Sequence, residues 1–348
     1  MRTLLEYREH LSGYKLSGFA SFMDDAEQIE ALNSELQLLD SSYTRLLEDC
    51  DAVVLIDNYR GFRPDKYYRV IEDAIRASKE ILVTSLAFSQ LDLVDYVGQY
   101  SLLEFQPKEA VSAGLDGADN KKKLMNIDIP IIGVLGQGYH CGKFRTQLLL
   151  KSVLDKEYNT VAITSNSLGA LFKCFTLPSL MFADGSFERK VIELNRYIKA
   201  ISTIGNPDVL VLGVPEGIAP FRSTEFHHFA EYPLILSSAT TFDLAVLCTY
   251  FVTGSRLKTG LLNMAKYCAN RFEIPIEAFS ISSTLFEIPQ EEDGSMIYEF
   301  LDDIFISEHY PDIENVNLPM LDPFNRDSAT AVIEVLIERL KGNISSVY

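Results

Sequence analysis

The segment 129–150 constrains the fold more than any other part of the chain. It begins with an apolar run, continues through a loop that contains Gly136, Gly138 and Gly142, and enters a helical pattern at Lys143. Glycines let the backbone curl so that several N–H groups point inward, and the start of a helix carries a partial positive charge. With a lysine at its mouth, such a loop is suited to bind phosphate. The sequence therefore predicts a phosphate-binding loop between a strand and a helix.

This loop departs from the usual phosphate-binding pattern at two places. Five residues separate Gly136 from Gly142, and Phe144 follows Lys143 where Ser or Thr is usual. The usual hydroxyl binds the Mg²⁺ that bridges the β and γ phosphates, and a phenyl ring cannot do so. Thr146 lies two positions further on and is expected to face elsewhere. We therefore expect the loop to hold phosphates without hydrolysing them.

The loop also contains a histidine and a cysteine, His140 and Cys141. A thiolate there would be stabilised by the helix N-terminus, so a nucleophile is one interpretation and a loop-filling role is the other. A glycine-rich turn without a ligand is the alternative for the whole segment. The residues predicted to bind the ligand are Gly136, Gln137, Gly138, Gly142, Lys143, Phe144, Arg145 and Thr146.

Polar residues follow two further predicted strands. Ser165 and Asn166 come after the strand 160–164, and Glu216 comes after the strand 209–214. Ligands of parallel sheets bind at the carboxyl ends of the strands. We predict that Ser165 and Asn166 contact the ligand, unless they only form a capping turn. We predict that Glu216 is the catalytic carboxylate, as general base or water positioner, with a structural turn carboxylate as the alternative.

Strand and helix patterns alternate along the chain, which predicts an α/β fold. In the first part, residues 15–21, 52–57 and 81–85 are predicted strands of a small parallel sheet. After residue 129, strands alternate with helices of about ten or more residues, which is typical of βαβ crossovers. This pattern predicts a mainly parallel, doubly wound sheet in the second part.

The length of 348 residues favours two domains. Between residues 103 and 128 the periodicity fails, and glycines, aspartates and the lysine run 121–123 appear. Such a composition is typical of a linker, and the lysines are interpreted as its solvated face. We predict domains at 1–102 and 129–348, joined by the linker 103–128.

The formal net charge of −18 argues against a nucleic-acid or anionic-membrane surface, because such surfaces need clustered Lys and Arg. The five cysteines show no paired C-x-x-C spacing, and no secretory leader is recognised, so reduced thiols and a cytoplasmic location are expected. The apolar runs are shorter than the roughly 20 residues that cross a bilayer. The adjacent His227 and His228 would point in different directions, so no metal site is predicted.

Three motifs together resemble a known family. They are Gly-x5-Gly-Lys-x-x-Thr from Gly136, Thr-x-x-Ser-x-Gly from Thr164 and Pro-Glu-Gly-x-x-Pro from Pro215. Their order is similar to the phosphate-loop family of formerly unknown function that includes a bacterial D-glutamate N-acetyltransferase. More narrowly, the Gly-Lys-Phe loop and the stretch 213–220 resemble peptide-maturation-system proteins found beside clusters for ribosomally made, cysteine-rich peptides (RiPP natural products) in anaerobic bacteria. The likeness covers residues 129–252.

This resemblance implies a small Rossmann-like N-terminal domain and a P-loop NTPase-like C-terminal domain. In the acetyltransferase branch it implies that the loop holds coenzyme A phosphates, which would explain Phe144 because a thioester donor needs no bridging Mg²⁺. The residues that carry over by position are Gly136, Gly142, Lys143 and Thr146 in the loop, and Glu216 and Gly217 in the second motif.

We therefore expect a peptide-maturation protein that binds a small phosphorylated ligand, either a nucleoside triphosphate or coenzyme A, with the need for Mg²⁺ left open. A transferase is favoured over an NTPase. One alternative is an N-acyltransferase that uses acyl-coenzyme A to modify a peptide or an amino acid. Another is a non-enzymatic, ligand-gated scaffold that recruits a precursor peptide or a peptide maturase. Self-association into a homo-oligomer is also left open.

Overall fold

The computed structural model describes residues 2–20, 43–56, 63–105, 123–220, 230–252, 257–287, 297–302, 305–306, 308 and 318–345. Two compact units are formed, one by Met1–Phe105 with Asn166–Thr176 and the other by Gln106–Ser165 with Leu177–Tyr348. Most of the predicted linker 103–128 lies outside the described residues.

The strands with described bounds are β1 (Ala52–Leu55), β2 (Glu80–Val83), β3 (Ser101–Leu102), β4 (Ile131–Gly136), β5 (Thr160–Thr164), β6 (Phe175–Thr176), β7 (Val209–Gly213), β8 (Leu244–Thr249), β9 (Ile276–Ile281), β10 (Thr284–Glu287), β11 (Ile297–Phe300) and β12 (Met320–Leu321). The α-helices with described bounds are α1 (Arg2–Glu6), α2 (Tyr43–Asp49), α3 (Pro64–Arg76), α4 (Ser85–Gln90), α5 (Lys143–Leu154), α6 (Phe187–Thr203), α7 (Glu231–Ala239), α8 (Leu257–Phe272) and α9 (Arg326–Ser345).

The first unit contains a three-stranded sheet in the order β1-β2-β3, and both strand pairs are parallel. Its third strand is the two-residue β3. A strand had been predicted at residues 15–21, and this prediction was wrong for residues 15–20, which have no regular secondary structure. Residue 21 lies outside the described residues. The parallel arrangement itself was predicted correctly.

Helix α3 supplies much of the core of the first unit. Pro64 occupies the first turn, where its missing N–H costs nothing, and the helix buries one stripe of residues spaced three or four apart. That stripe packs with Leu55, Ile81 and Val83 of the sheet. The buried residues of the stripe are Tyr67, Val70, Ile71 and Ala74.

The second unit is built on a parallel sheet. Six of its strands lie in the order β12-β9-β8-β4-β7-β5, and every neighbouring pair in that series is parallel. Every residue of β4, β7 and β8 is buried, so both faces of the sheet centre are covered. Helix α5 packs on β4, β5 and β7 and contacts α9, whereas α7 contacts both α6 and α8. This is the doubly wound α/β fold that the sequence predicted.

The strand order places the glycine-rich loop at a topological switch point. From β4 the chain first builds β5 and β7 on one side and then β8 and β9 on the other. Within the central strands, Gly136 of β4 aligns with Cys248 of β8, and Val134 aligns with Gly213 of β7. Open α/β sheets bind ligands in the crevice at such a point, beyond the carboxyl ends of the strands.

Two general features of the chain can be read from the structure. In the part of the chain with described coordinates, no helix combines the length and the apolar character that crossing a membrane requires. No disulfide is formed by the five cysteines, all of which lie in the described residues, and all except Cys50 are buried; they are Cys50, Cys141, Cys174, Cys248 and Cys268.

Candidate phosphate-binding site

The loop that follows β4 leads directly into helix α5. Strand β4 ends at Gly136, and the helix begins at Lys143. Gly142, which immediately precedes the helix, has a φ of 81°, a left-handed conformation that favours glycine. At the start of the loop, the Gln137 N–H donates to the Cys248 carbonyl at 2.8 Å, which ties the loop to β8.

Gly136 lies where the backbone approaches two side chains closely. A Cβ atom at this position would lie 2.5 Å from Cys141 Sγ and 2.7 Å from Lys143 Cδ. Both distances are shorter than van der Waals contact allows, so a larger residue would make the Cys141 or Lys143 side chain shift. Glycine at this position therefore allows both side chains to lie close to the backbone.

Lys143 is held at the mouth of the loop by backbone carbonyl groups. Its Nζ donates to the Gly138 carbonyl at 2.8 Å and also to the Glu216 carbonyl. Among the described residues, no carboxylate forms an ion pair with this ammonium group. Within the described residues, the acceptors of the Lys143 ammonium are therefore neutral carbonyl groups, which an anion could replace.

Glu216 lies beside Lys143, in the turn that follows β7. Its φ of 53° is unusual for a residue other than glycine, and such conformations cluster at functional sites. The charge of Glu216 contributes to a raised pKa at Tyr232. Burial is the largest cause of that rise, and the negative charges of Glu216 and Glu231 add to it. Ionisation of the Tyr232 phenol of helix α7 is therefore disfavoured both by burial and by these carboxylates.

The turn after β7 is also bonded to the loop through its backbone. The Ile218 N–H donates to the Gly136 carbonyl at 3.0 Å, and the Gly217 carbonyl accepts from the Ala230 N–H at 2.8 Å. The structure thereby brings Gly136, Lys143, Glu216 and Gly217 together.

Thr146 lies beneath the loop, with its hydroxyl in the core. Only 1% of its surface is exposed. Its Oγ1 lies 3.2 Å from Ser280 Oγ and accepts from Cys248 Sγ at 3.4 Å. Since Phe144 has no hydroxyl and that of Thr146 is used in the core, the first turn of α5 offers no hydroxyl to a Mg²⁺ ion at the loop.

Arg145 extends toward the C-terminal part of the second unit. Its guanidinium lies 4.0 Å from the centroid of the Phe324 ring, which is a cation–π contact. Burial raises the pKa of the Asp322 carboxyl, while the N–H groups of Phe324 and Asn325 and the charge of Arg145 lower it. The charge of Arg145 therefore offsets part of the effect of burial on Asp322, whose pKa remains raised.

Cys141 fills the interior of the loop. It is 1% exposed, and its Sγ donates to the Gly138 carbonyl at 3.1 Å. Burial raises the pKa of the neighbouring Cys248 thiol, while the hydrogen bond to Thr146 and the charge of Lys143 lower it. These contacts favour the loop-filling interpretation of Cys141 over a nucleophile.

The remaining predicted residues have simpler surroundings. Ser165 follows β5 and is exposed. The Asn166 side chain accepts from the Leu168 N–H at 3.0 Å and so caps the short helix Ser167–Phe172. Their ligand contacts stay a prediction. His227 and His228 lie outside the described residues.

Sequence analysis did not identify the residues that brace the loop tip. The Tyr250 hydroxyl donates to the Tyr139 carbonyl at 2.6 Å, and the Thr284 hydroxyl donates to the His140 carbonyl at 2.7 Å. Tyr250 directly follows β8, so its position at a strand end was the available signal. That β8 neighbours β4 could not be read from the sequence.

The sequence matches no known family description and no curated protein. Among solved structures, a DUF1611 family protein from Anabaena variabilis has a TM-score of 0.56 and 14% identity, with 98% of this chain and 95% of that chain covered. A LAO/AO transport system kinase has a TM-score of 0.32 and 12% identity over 63% of this chain and 61% of that one. A plasmid partition protein from Borrelia burgdorferi has a TM-score of 0.37 and 10% identity, covering 61% of this chain and 100% of that one. The chain therefore shares its fold with the Anabaena variabilis protein over nearly the full length of both.

Proposed function

We propose that the protein binds the phosphate groups of an organic ligand through residues 136–143. The observation that carries this proposal is the position of Lys143, whose ammonium donates to two carbonyl groups at the loop mouth and pairs with no carboxylate in the described part of the chain. A phosphate would replace these neutral acceptors with charged ones, and an ammonium attracts an anion more strongly than it attracts a carbonyl dipole. The start of α5 and the curled backbone add favourable N–H dipoles.

Phe144 stands where a phosphate loop usually has a Ser or Thr hydroxyl, and this supports coenzyme A as the ligand over a nucleoside triphosphate. A triphosphate whose γ phosphate is to be transferred needs Mg²⁺ held beside the loop. Phe144 cannot bind Mg²⁺, and the Thr146 hydroxyl is occupied by Ser280 and Cys248. A coenzyme A thioester needs only an anchor for its phosphates, which this loop would supply.

Titration calorimetry with ATP, GTP and acetyl-coenzyme A, each with and without Mg²⁺, tests the proposal. We expect acetyl-coenzyme A to bind without Mg²⁺, and Lys143→Ala to weaken binding on the order of tenfold to hundredfold, the loss of one charged hydrogen bond. Lys151→Ala is the matched control, because Lys151 lies on the same helix but pairs with Asp155 at 2.6 Å. If none of the three compounds binds, or if Lys143→Ala binds as well as the unchanged protein, the proposal is wrong.

For the reaction we propose N-acyl transfer, with Glu216 as general base. An amine nitrogen would attack the thioester carbonyl, the new C–N bond would form as the C–S bond breaks, and the amine proton would pass through the Glu216 carboxylate to the leaving thiolate. The support for this role is that the Ile218 N–H donates to the Gly136 carbonyl at 3.0 Å, which holds the turn that carries Glu216 against the start of the phosphate loop.

Thiol release from acetyl-coenzyme A in the presence of amino acids or peptides measures this activity. Glu216→Gln keeps the backbone carbonyl that Lys143 uses, so we expect it to abolish turnover and to leave binding unchanged. Undiminished turnover in this variant would remove Glu216 from the catalytic role.

A role in peptide maturation is supported by the resemblance of the Gly-Lys-Phe loop and the stretch 213–220 to maturation proteins. Mass spectrometry of a cysteine-rich precursor peptide incubated with the protein and acetyl-coenzyme A tests it. Acylation of the peptide in preference to free amino acids is the expected result. If the ligand binds but nothing is acylated, peptide affinity measured with and without the ligand tests the scaffold alternative.

A further inference from the structure

The hairpin formed by β10 and β11 lies against the tip of the phosphate loop. The two strands are antiparallel, and Thr284 pairs with Phe300 while Phe286 pairs with Tyr298. Residues directly opposite each other share a face, and so do residues two positions apart along a strand. One face of the hairpin therefore carries Thr284, Phe286, Tyr298 and Phe300.

This aromatic face is attached to the loop tip at several points. The ring of His140 lies edge-on to Tyr298 at a centroid distance of 5.0 Å and edge-on to Phe300 at 5.7 Å. Phe286 stacks on Tyr250 with ring centroids 4.8 Å apart, and Tyr250 in turn holds the Tyr139 carbonyl. With the hydrogen bond from Thr284 to His140, the hairpin and the loop tip form one connected set of contacts.

Phe300 differs from the other residues on this face in its exposure. Thr284 is buried and Phe286 and Tyr298 are half-buried, whereas 55% of Phe300 is exposed. Phe300 is thus on the face that meets the loop, yet most of its ring is uncovered. The ring of His140 beside it is also exposed, and its backbone has a φ of 56°.

We propose that the exposed ring of Phe300 is a stacking platform for the aromatic base of the ligand whose phosphates the loop binds, with the perpendicular ring of His140 at its side. His140, which contacts Phe300, is three residues from Lys143, so about 10 Å of chain joins the platform to the phosphate anchor. Aromatic side chains bind a nucleobase through its π-face whatever the base. ATP and coenzyme A share an adenine, so the platform suits either ligand and excludes simple phosphate esters as the preferred ones. This inference rests on the proposed phosphate site and defines the other end of the same ligand.

Affinity measurements with three probes separate the platform from the phosphate anchor. Tripolyphosphate has phosphates but no base, whereas ATP and acetyl-coenzyme A have both. We expect Phe300→Ala to weaken ATP or acetyl-coenzyme A by roughly fivefold to a hundredfold, the range reported for loss of one stacking contact, and to leave tripolyphosphate unchanged. Lys143→Ala should weaken all the probes that bind. Phe300→Tyr keeps the ring and should retain the original affinities, which controls for damage to the hairpin.

A fluorescence reporter gives an independent test, because the chain contains no tryptophan. Phe300→Trp places the sole indole on the platform, and the adenine-bearing probes should change its emission while tripolyphosphate should not. Phe187→Trp is the control, since Phe187 is 47% exposed at the start of α6 and is not part of the hairpin. We expect no response from that variant.

Two outcomes would overturn the platform and leave the phosphate site standing. One is that Phe300→Ala binds ATP and acetyl-coenzyme A as the unchanged protein does, while Lys143→Ala weakens them. The other is that Phe300→Ala weakens tripolyphosphate as much as ATP, which would mean that the ring only supports the loop. If Lys143→Ala has no effect on any probe, the phosphate site and the platform both fail.

Discussion

The ammonium group of Lys143 donates a hydrogen bond to the backbone carbonyl of Glu216, and this bond joins the first residue of α5 to the turn after β7. The second acceptor of the same ammonium is the Gly138 carbonyl. An incoming phosphate would compete with both acceptors, so ligand binding is expected to release the Glu216 peptide from the lysine. The phosphate anchor and the proposed base are coupled through this one side chain.

Gly136→Ala should weaken ligand binding. The added methyl group would lie 2.5 Å from Cys141 Sγ and 2.9 Å from Lys143 Nζ, so these side chains must shift from the positions they hold in the loop. Titration of acetyl-coenzyme A is the measurement. The control is Gly260→Ala in α8, where a Cβ meets nothing within 4 Å. That change should preserve binding and stabilise the protein by up to about 1 kcal/mol through helix propensity. Undiminished binding by Gly136→Ala would contradict the proposed importance of the close approach of Cys141 and Lys143 to Gly136.

Thr146→Val should lower stability without changing ligand affinity or its response to Mg²⁺. The hydroxyl is bonded to Ser280 and Cys248 in the core, so its removal should cost about 1 kcal/mol of unfolding free energy. Urea denaturation and calorimetry with and without Mg²⁺ measure the two effects. A loss of Mg²⁺-dependent binding in this variant would show that Thr146 reaches the ligand.

Tyr250→Phe should weaken ligand binding by about fivefold, because the loop tip loses the donor to the Tyr139 carbonyl. The ring remains, so its stacking on Phe286 is kept. Tyr267→Phe in α8 removes a hydroxyl from a partly exposed ring outside the loop, and it should leave the affinity unchanged. Equal affinities for the two variants would show that ligand binding does not need the hydrogen bond from Tyr250 to the Tyr139 carbonyl.

Cys268→Ala should make the free energy of unfolding fall less steeply as pH rises into the alkaline range. Burial raises the pKa of Cys268 from 9.0 to about 12. Above pH 9 the thiol ionises in the unfolded chain but keeps its proton in the folded one, so stability falls as pH rises through this window, by about 1.4 kcal/mol per pH unit. Urea denaturation at several pH values between about 8 and 10 compares the slopes. Identical slopes in the two proteins would contradict the raised pKa.

The elements around the phosphate loop were predictable from the sequence. Helix α5 begins at Lys143 as predicted, strand Thr160–Thr164 has the predicted bounds, and β7 ends at Gly213, one residue before the predicted end of that strand. Strands buried on both faces are continuous apolar runs, and the helices between them are long enough to show their periodicity. Such local patterns are strong enough to predict where these helices and strands lie.

The rest of the site depends on contacts between residues that are distant in the sequence. Thr284 lies 144 positions from His140, and Tyr250 lies 111 positions from Tyr139. No local pattern marks such partners, because the strand order that brings them together is set by packing. The error at residues 15–21 has a related cause. An apolar run becomes a strand only if it has a partner, and in this unit β2 pairs instead with the two-residue β3, which is too short to show a period.

The first unit is assembled from two separate stretches of the chain. Within it, the Leu171 carbonyl accepts from the Ser12 N–H at 2.8 Å, and the Phe175 ring packs against Phe105 with centroids 4.8 Å apart. During synthesis, β4, α5 and β5 leave the ribosome before Asn166–Thr176 becomes available to the first unit. A fragment that ends at residue 105 would lack part of its own core. Neither unit can therefore be obtained intact by cutting the chain at a single point.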